Sequence, residues 1–351
     1  MTYDAVLLAS FGGPEGPDEV MPFLERVTAG RGVPRERLEE VSHHYLALGG
    51  VSPINEQNRL LLSRLRARMD ERGIDLPLYW GNRNSAPFFA DALREVHDAG
   101  HSRVLAVATS AYSSYSGCRQ YRENLAGALA DAGLTGQLEV AKARPYYARA
   151  GFSEPFAVGV VEALAGVVDP AGVRVLFTTH SIPTSMAEAA GPDEARAGLP
   201  GLYERQHLDV ASRVMADVAQ STGLGPVEWR LVFQSRSGPP QMPWLEPDIG
   251  DAVREAAADG KRRVIAVPIG FVSDHVEVVW DLDHEAREIA EEVGIEFARV
   301  ATPGVDARFV DALVDVIADA ASGQATSADS ALCSTTCCRN ARADLPVVPG
   351  C

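Results

Sequence analysis

The chain has 351 residues, enough for two domains with full cores. Its 48 acidic residues against 32 basic ones leave a formal net charge of −16, which argues against a nucleic-acid surface and against anionic membrane. No apolar run approaches the ~18 residues that span a bilayer, and Met1-Thr2-Tyr3-Asp4 leads into a strand with no basic n-region, so a cytoplasmic protein without an integral membrane segment is expected. In that compartment the five cysteines are read as ligands or free thiols before disulfides.

Strand and helix signals alternate along the chain. Ala5 to Ser10 is a buried-type strand that ends in the turn Phe11-Gly12-Gly13-Pro14. Val20 to Val27 is a short amphipathic segment, followed by a loop carrying Gly30, Arg31 and Gly32. Glu36 to Leu48 is helical and stops at Gly49-Gly50. A strong helix follows over Asn55 to Arg72, with Leu60, Leu61, Leu65 and Met69 on its apolar side. Then come a strand at Leu78 to Trp80, a helix over Pro87 to Ala99, and a strand at Arg103 to Ala108. Tyr121 to Ala132 reads as helix, Leu138 to Ala143 as strand, Pro155 to Val167 as helix and Val173 to Thr178 as strand. The long helix Gly201 to Gln220, the strand Glu228 to Gln234, the helix Asp251 to Asp259 and the buried strand Val264 to Ile269 complete the alternation. Asp306 to Ala321 is the last helix before a polar tail. This pattern predicts an α/β fold with parallel sheets covered by helices.

An internal echo divides the chain. Val6 to Phe11 corresponds to Val175 to His180, and Arg103 to Val107 corresponds to Arg263 to Val267. Two related Rossmann-like lobes are therefore expected, residues 1–145 and 146–300, with a C-terminal helix over 301–322 and a cysteine-containing tail over 323–351. A cleft between two lobes is the usual home of a small-molecule site.

The stretch Val264 to Glu288 carries the densest chemistry. From Asp274 to Glu285, five residues are carboxylates (Asp274, Glu277, Asp281, Asp283, Glu285) and two are histidines (His275, His284). On a helix Glu277, Asp281 and Glu285 share one face, and Asp274 is a fair N-cap for a helix starting near His275. Three like charges in a row repel unless solvent or a cation lies against them. Such a stripe is usually a solvated helix face, but this one follows a buried strand, where open α/β sheets place ligands. His180 likewise follows a buried strand; a lone histidine is more often structural, yet the loop position favours chemistry. Tyr112 to Tyr121 offers hydroxyl-bearing aromatic surface that suits a flat, polar-edged ligand and would serve equally as packing. No GxxxxGK, GxGxxG, HExxH or GxSxG motif is present, so nucleotide hydrolysis, dinucleotide redox, zinc proteolysis and serine hydrolysis lose support.

Four of the five thiols, Cys333, Cys337, Cys338 and Cys351, fall in the last nineteen residues, and the fifth is Cys118. The readings are free thiols on a polar tail, a Cys₄ zinc site or an iron–sulfur site, with a metal or cluster favoured by the clustering.

SFGGP near the start, GGVSPI at Gly49 to Ile54, THSIP around His180 and GFVSDHVEVVWDLDHEA from Gly270 together resemble the ferrochelatase family, in the family's order over roughly Tyr3 to Ala320. The resemblance implies insertion of ferrous iron into a porphyrin held between two chelatase-like lobes. His180 and Glu277 would be the proton-accepting and iron-binding pair, with Asp281 and Glu285 continuing an iron or proton path on a segment that is often π-helical. Tyr45, Ser52 and Tyr121 would anchor propionates, with Arg31 a weaker candidate for the same role. Phe11 stands where some relatives carry a tyrosine near the iron. Without an apolar membrane-binding extension, the chain resembles the coproporphyrin III ferrochelatases of Gram-positive type, whose product is coproheme. Protoporphyrin IX is the second substrate reading, and a non-catalytic haem or metal carrier the reading from another class. The resemblance also implies a [2Fe–2S] cluster on Cys118, Cys333, Cys337 and Cys338, with Cys351 as the substitute because adjacent cysteines tend to point apart. It further implies transient contact with other haem-pathway enzymes.

Overall fold

The computed structural model describes residues 2–192, 201–238, 241–323 and 336–350. Two four-stranded parallel sheets organise the chain. The first is built from β1 (Ala5–Ser10), β2 (Leu78–Asn82), β3 (Arg103–Ala108) and β4 (Glu139–Lys142), in the order β2-β1-β3-β4. The second is built from β5 (Val173–His180), β6 (Glu228–Gln234), β7 (Arg263–Val267) and β8 (Glu296–Arg299), in the order β6-β5-β7-β8. The same order recurs with β5 in the place of β1 and β7 in that of β3, so the sequence echo is a structural one.

Burial explains the strand compositions. All six residues of β1 are buried, because helices cover both faces of the sheet. In register, Val6 pairs with Leu78 on one side and Leu105 on the other; in the second sheet Phe177 pairs with Leu231 and Val267. The helices of the first half are α1 (Pro17–Val27), α2 (Arg35–Ala47), α3 (Ile54–Glu71), α4 (Phe89–Asp98) and α5 (Gln120–Asp131). Those of the second are α6 (Ala150–Ala163), α7 (Thr184–Glu188), α8 (Leu202–Thr222), α9 (Ile249–Ala258), α10 (Val276–Val278), α11 (Arg287–Val293) and α12 (Ala307–Ser322). Along α3 the buried stripe is Leu61, Leu62, Leu65 and Met69; Leu60 turns out to solvent, contrary to the expectation that it joins the apolar side.

One core spans both sheets. Val6, Leu8, Leu61 and Leu65 share a cluster with Phe152, Phe156, Phe177, Val267 and Phe309. The stripe Phe309, Val310, Leu313, Val314 and Ile317 lets α12 pack on α3 and on α6 at once. Arg68–Asp311 and Arg72–Asp315 pairs line the α3–α12 seam.

Three features differ from the sequence expectation. Asp274 does not cap a helix: its carboxylate is held by Arg299 in a two-toothed pair at 3.1 Å and 3.1 Å, and His275 takes the capping position. β8 and α7 emerge from segments too short to show a period, and Tyr115–Arg119 forms a π-helical turn ahead of α5. α6 starts at Ala150, so Pro155 lies inside it rather than opening it.

Candidate active site

In open parallel sheets, ligands gather where chain connections leave in opposite directions from adjacent strand ends. Here those ends belong to β1 and β3 in the first sheet and to β5 and β7 in the second. β5 ends at His180, and the segment after β7 leads through Gly270 to Glu277. Gly270 lies so close to Thr179 that a Cβ would sit 2.1 Å from its hydroxyl oxygen, so only glycine lets the two segments approach. The result is a His180 Nε2 to Glu277 Oε2 separation of 3.7 Å, with both side chains partly open to the cleft.

The histidine is oriented from behind. Its Nδ1 donates to the carbonyl of Ser181, which leaves the Nε2 lone pair directed toward the Glu277 side. The carbonyl of His180 accepts from the Tyr203 hydroxyl at 2.8 Å, and Tyr203 also meets the Thr179 hydroxyl at 2.8 Å. Thr179 in turn contacts His207 Nε2 at 2.9 Å. His207 is fully buried and stacked on Tyr112 with ring centroids 3.6 Å apart, and burial pulls its pKa down to about 3.

Of the five carboxylates between Asp274 and Glu285, two are structural. Asp274 and Asp283 both pair with Arg299, which ties the segment to β8. Glu277, Asp281 and Glu285 pair with no arginine among the described residues, and Val279–Ala286 is π-helical, a wider winding often found at functional sites. Burial pushes the Asp281 carboxyl up to about 7; hydrogen bonds from Ser235 and Gln234 oppose that shift, and the neighbouring Glu277 and Glu285 charges add to it. Ser235 stands at φ 59, strained backbone for a serine, directly after β6. Glu285 is exposed and accepts from Trp280 Nε1 at 2.8 Å. The Trp280 ring lies between His44 of α2 and His284, with centroid distances of 4.3 Å and 5.1 Å.

The four residues expected at the porphyrin stand in different surroundings. Tyr45 packs on Phe23 and faces the acidic side; burial raises its pKa well above the usual tyrosine range, and the Glu277 and Asp281 charges add to this. Ser52 is buried beneath the Gly12-Gly13 turn after β1, where a Cβ on Gly13 would lie 2.5 Å from its own. Tyr121 lies under Arg83, whose guanidinium carbon is 4.0 Å from the ring centroid. Arg31 is exposed, yet partial burial and then the Arg342 charge lower its pKa, while Glu277 opposes the shift. Phe11 packs edge-on to Phe23 and also lies under Arg83. Arg83 and Tyr115 are cleft residues that sequence reasoning passed over. The signal for Arg83 was its place just past the end of β2, the same kind of position that singled out His180. A cavity of about 1470 Å³ lies elsewhere, along α4, α5 and tail residues Leu345 to Pro349, and takes in none of Glu277, Asp281 or Glu285.

Three of the expected cluster thiols converge. Cys118, in the π-helical turn, forms a buried group with Cys337 and Cys338 of the tail. Cys337 and Cys338 sulfurs are 3.7 Å apart, which overturns the expectation that neighbouring cysteines diverge. The reason is backbone: Cys338 has φ 52, a left-handed conformation that turns both side chains the same way. Close contact with Cys118 and Cys337, then burial, holds the Cys338 thiol well above its usual range, which is the cost of packing protonated thiols where thiolates would bind metal. Three thiols are one short of the four thiolates of a [2Fe–2S] cluster, and among the described residues no group of three or more cysteine, histidine or acidic side chains is arranged to hold a metal ion. Cys333 and Cys351 lie outside the described residues.

Comparison with known proteins bears on the whole chain. The ferrochelatase family profile matches residues 3–321. A coproporphyrin III ferrochelatase of Streptomyces coelicolor is 53% identical, covering 99% of this chain and 96% of that protein. Another, of Leifsonia xyli, is 50% identical over 100% of this chain and 95% of its own length. Among solved structures, the sirohydrochlorin chelatase SirB of Bacillus subtilis in complex with cobalt superposes with a TM-score of 0.50 at 9% identity, covering 91% of this chain and 95% of that one, a likeness of fold. With two repeated parallel sheets, a histidine and an acidic segment meeting between their strand ends, and a family match over nearly the whole chain, this protein belongs to the ferrochelatase family.

Proposed function

We propose that the chain inserts ferrous iron into coproporphyrin III to give coproheme. The observation that carries this reading is the His180–Glu277 pair, 3.7 Å apart at the joined strand ends and open to the cleft. The substrate assignment draws on relatives near 50% identity that are named coproporphyrin III ferrochelatases.

The reaction replaces two pyrrole N–H bonds by bonds to Fe²⁺ and releases two protons. His180, with its Nε2 lone pair free, accepts a proton at the ring face, and Glu277 holds the incoming iron and takes part in proton removal. Asp281, poised near neutrality by burial, takes up and passes on a proton without a large energetic step. Glu285 extends the path to solvent. Tyr45, Ser52 and Tyr121 anchor the propionates, with Arg31 a further candidate for the same role. Positioned general bases are worth ~10²–10⁴ in rate.

We also propose that Cys118, Cys333, Cys337 and Cys338 hold a [2Fe–2S] cluster, with Cys351 able to substitute for one of them. When bound, the cluster would supply a four-thiolate cross-link between the tail and the first lobe; iron insertion itself transfers no electron.

The deciding experiment is an anaerobic Fe²⁺-insertion assay comparing coproporphyrin III with protoporphyrin IX in matched detergent. A higher kcat/KM for coproporphyrin III is expected. Preference for protoporphyrin IX would move the substrate to the dicarboxylate, and tight haem binding without insertion would make the chain a carrier.

A further inference from the structure

The segment that carries Glu277 is gripped from behind by Arg299, the last residue of β8. β8 pairs with β7 so that Arg299 lies opposite Ala266, beside the strand whose exit leads to Glu277. The Arg299 side chain is only 15% exposed, so water screens its ion pairs little. Nη1 and Nη2 donate to the two Asp274 oxygens at 3.1 Å and 3.1 Å, and Nε donates to Asp283 Oδ1 at 2.8 Å. Asp274 also accepts from the Thr302 hydroxyl at 3.0 Å, and its backbone N–H donates to Gln57 Oε1 of α3 at 2.9 Å, so the first lobe grips the same residue. Val276 completes the attachment by packing with Phe23, Leu24 and Tyr45 of α1 and α2.

We propose that Arg299 is a positioning residue for metallation: by bridging Asp274 and Asp283 it fixes the path of the chain between them, and with it the placement of Glu277 and Asp281. This rests on the porphyrin-metallation reading and deepens it. Glu277 and Asp281 both lie inside the bridged stretch, and the chain from Val279 to Ala286 winds as a π-helix. That winding is rare and is found mostly as single turns, so it needs support from outside its own hydrogen bonds. An exposed ion pair would give little, but a largely buried guanidinium fork on two carboxylates is both strong and directional. Relaxation toward α-helical winding would turn Asp281 relative to Glu277 and disturb the 3.7 Å approach of Glu277 to His180. Arg299 thus acts through Asp274 and Asp283 rather than on the substrate. A lysine in its place keeps the charge but has one nitrogen, which cannot hold two carboxylates in a fixed geometry.

The test compares full-length wild type, Arg299→Ala, Arg299→Lys and the control Arg174→Lys. The control removes a fork of the same kind, on Glu228 and Asp259, at the start of β5 and away from His180. Each protein is assayed for anaerobic Fe²⁺ insertion into coproporphyrin III, for porphyrin binding by fluorescence quenching, and for deuterium exchange of backbone amides 276–286. Arg299→Lys should lower kcat by ~10², the scale of a small misplacement of reacting groups, with the porphyrin Kd unchanged. Amides 276–286 should exchange faster in Arg299→Lys but not in Arg174→Lys, whose kcat should match wild type. Arg299→Ala should lose at least as much activity and melt lower, since it leaves two carboxylates without their cation. The lysine variant decides the case where the alanine variant does not fold. Wild-type kcat or unchanged exchange in Arg299→Lys would overturn the inference. So would a loss confined to KM, which means a porphyrin contact, or equal kcat losses in the two lysine variants, which mean general destabilisation. Failure of wild type to metallate coproporphyrin III would instead sink the functional reading, and this inference with it.

Discussion

Glu277 and His180 face one another without a hydrogen bond, since 3.7 Å is too long for N–H···O contact. A pair held slightly apart can admit a small cation or a pyrrole proton between its members. The Ser181 carbonyl fixes which ring nitrogen carries the proton, and Tyr203 and Thr179 anchor the backbone behind it, so the imidazole arrives with its acceptor already directed. Replacing His180 by Ala or Glu277 by Gln should therefore abolish iron insertion, a loss of at least ~10² in kcat. Both side chains are partly exposed and neither fills the core, so the variants should stay folded and still quench porphyrin fluorescence on binding. Turnover near that of wild type in either variant would remove that residue from the chemistry.

Among the elements, the segment after β7 divides the labour among its carboxylates by geometry that spacing alone does not reveal. The sequence displays the acidic stripe at i, i+4 and i+8, and the strand–turn context that marks it as a site. It does not display that Asp274 and Asp283 belong to Arg299, because β8 is only four residues long and sends its arginine back across the sheet. It equally hides Ser235 and Gln234, which approach Asp281 only through the pairing of β6 with β5. Buried strands and the repeated order were legible because a fully covered strand must be apolar throughout. The π-helical turn at Tyr115–Arg119 was not, since a single wider turn leaves no period. That turn carries Cys118 toward the tail, and the left-handed backbone at Cys338 brings two neighbouring sulfurs to it. Protein purified without oxygen should accordingly be reddish-brown, with about two irons and two sulfides per chain. Cys118→Ser should lose that colour and melt at lower temperature, read by absorbance and by calorimetry independently of activity. Colourless protein with one zinc per chain would replace the cluster by a zinc site.

At the scale of the molecule, the two sheets are joined by a buried polar seam as well as by the shared apolar core. Ser113, just beyond β3, donates its N–H to Gln206 Oε1 at 2.7 Å and accepts from Gln206 Nε2 at 2.9 Å, while Tyr112 stacks on His207 and donates to the Ile269 carbonyl. His207 Nδ1 faces the Tyr203 carbonyl at 2.7 Å, so Nδ1 carries the proton and Nε2 accepts from Thr179. Both nitrogens are satisfied in the neutral ring, and a second proton would place a charge in a dry seam, which is why burial holds the pKa down to about 3. The sign of the pH effect follows. In the unfolded chain this histidine titrates near 6.5, so as pH falls below that value the unfolded state gains a proton the native state refuses. Stability contributed by the neutral ring is complete above about pH 6.5 and is lost progressively toward pH 3, at up to ~1.4 kcal/mol per pH unit. Denaturation midpoints measured from pH 7 to pH 4.5 should decline, and His207→Gln should decline less steeply by about one proton's worth of slope. Nitrogen-15 spectra of labelled histidine give a second reading that needs no variant: the His207 ring should remain neutral at pH 5. A ring that titrates near 6.5 in the folded protein would show that water reaches the seam, and the acid sensitivity would then have to come from elsewhere.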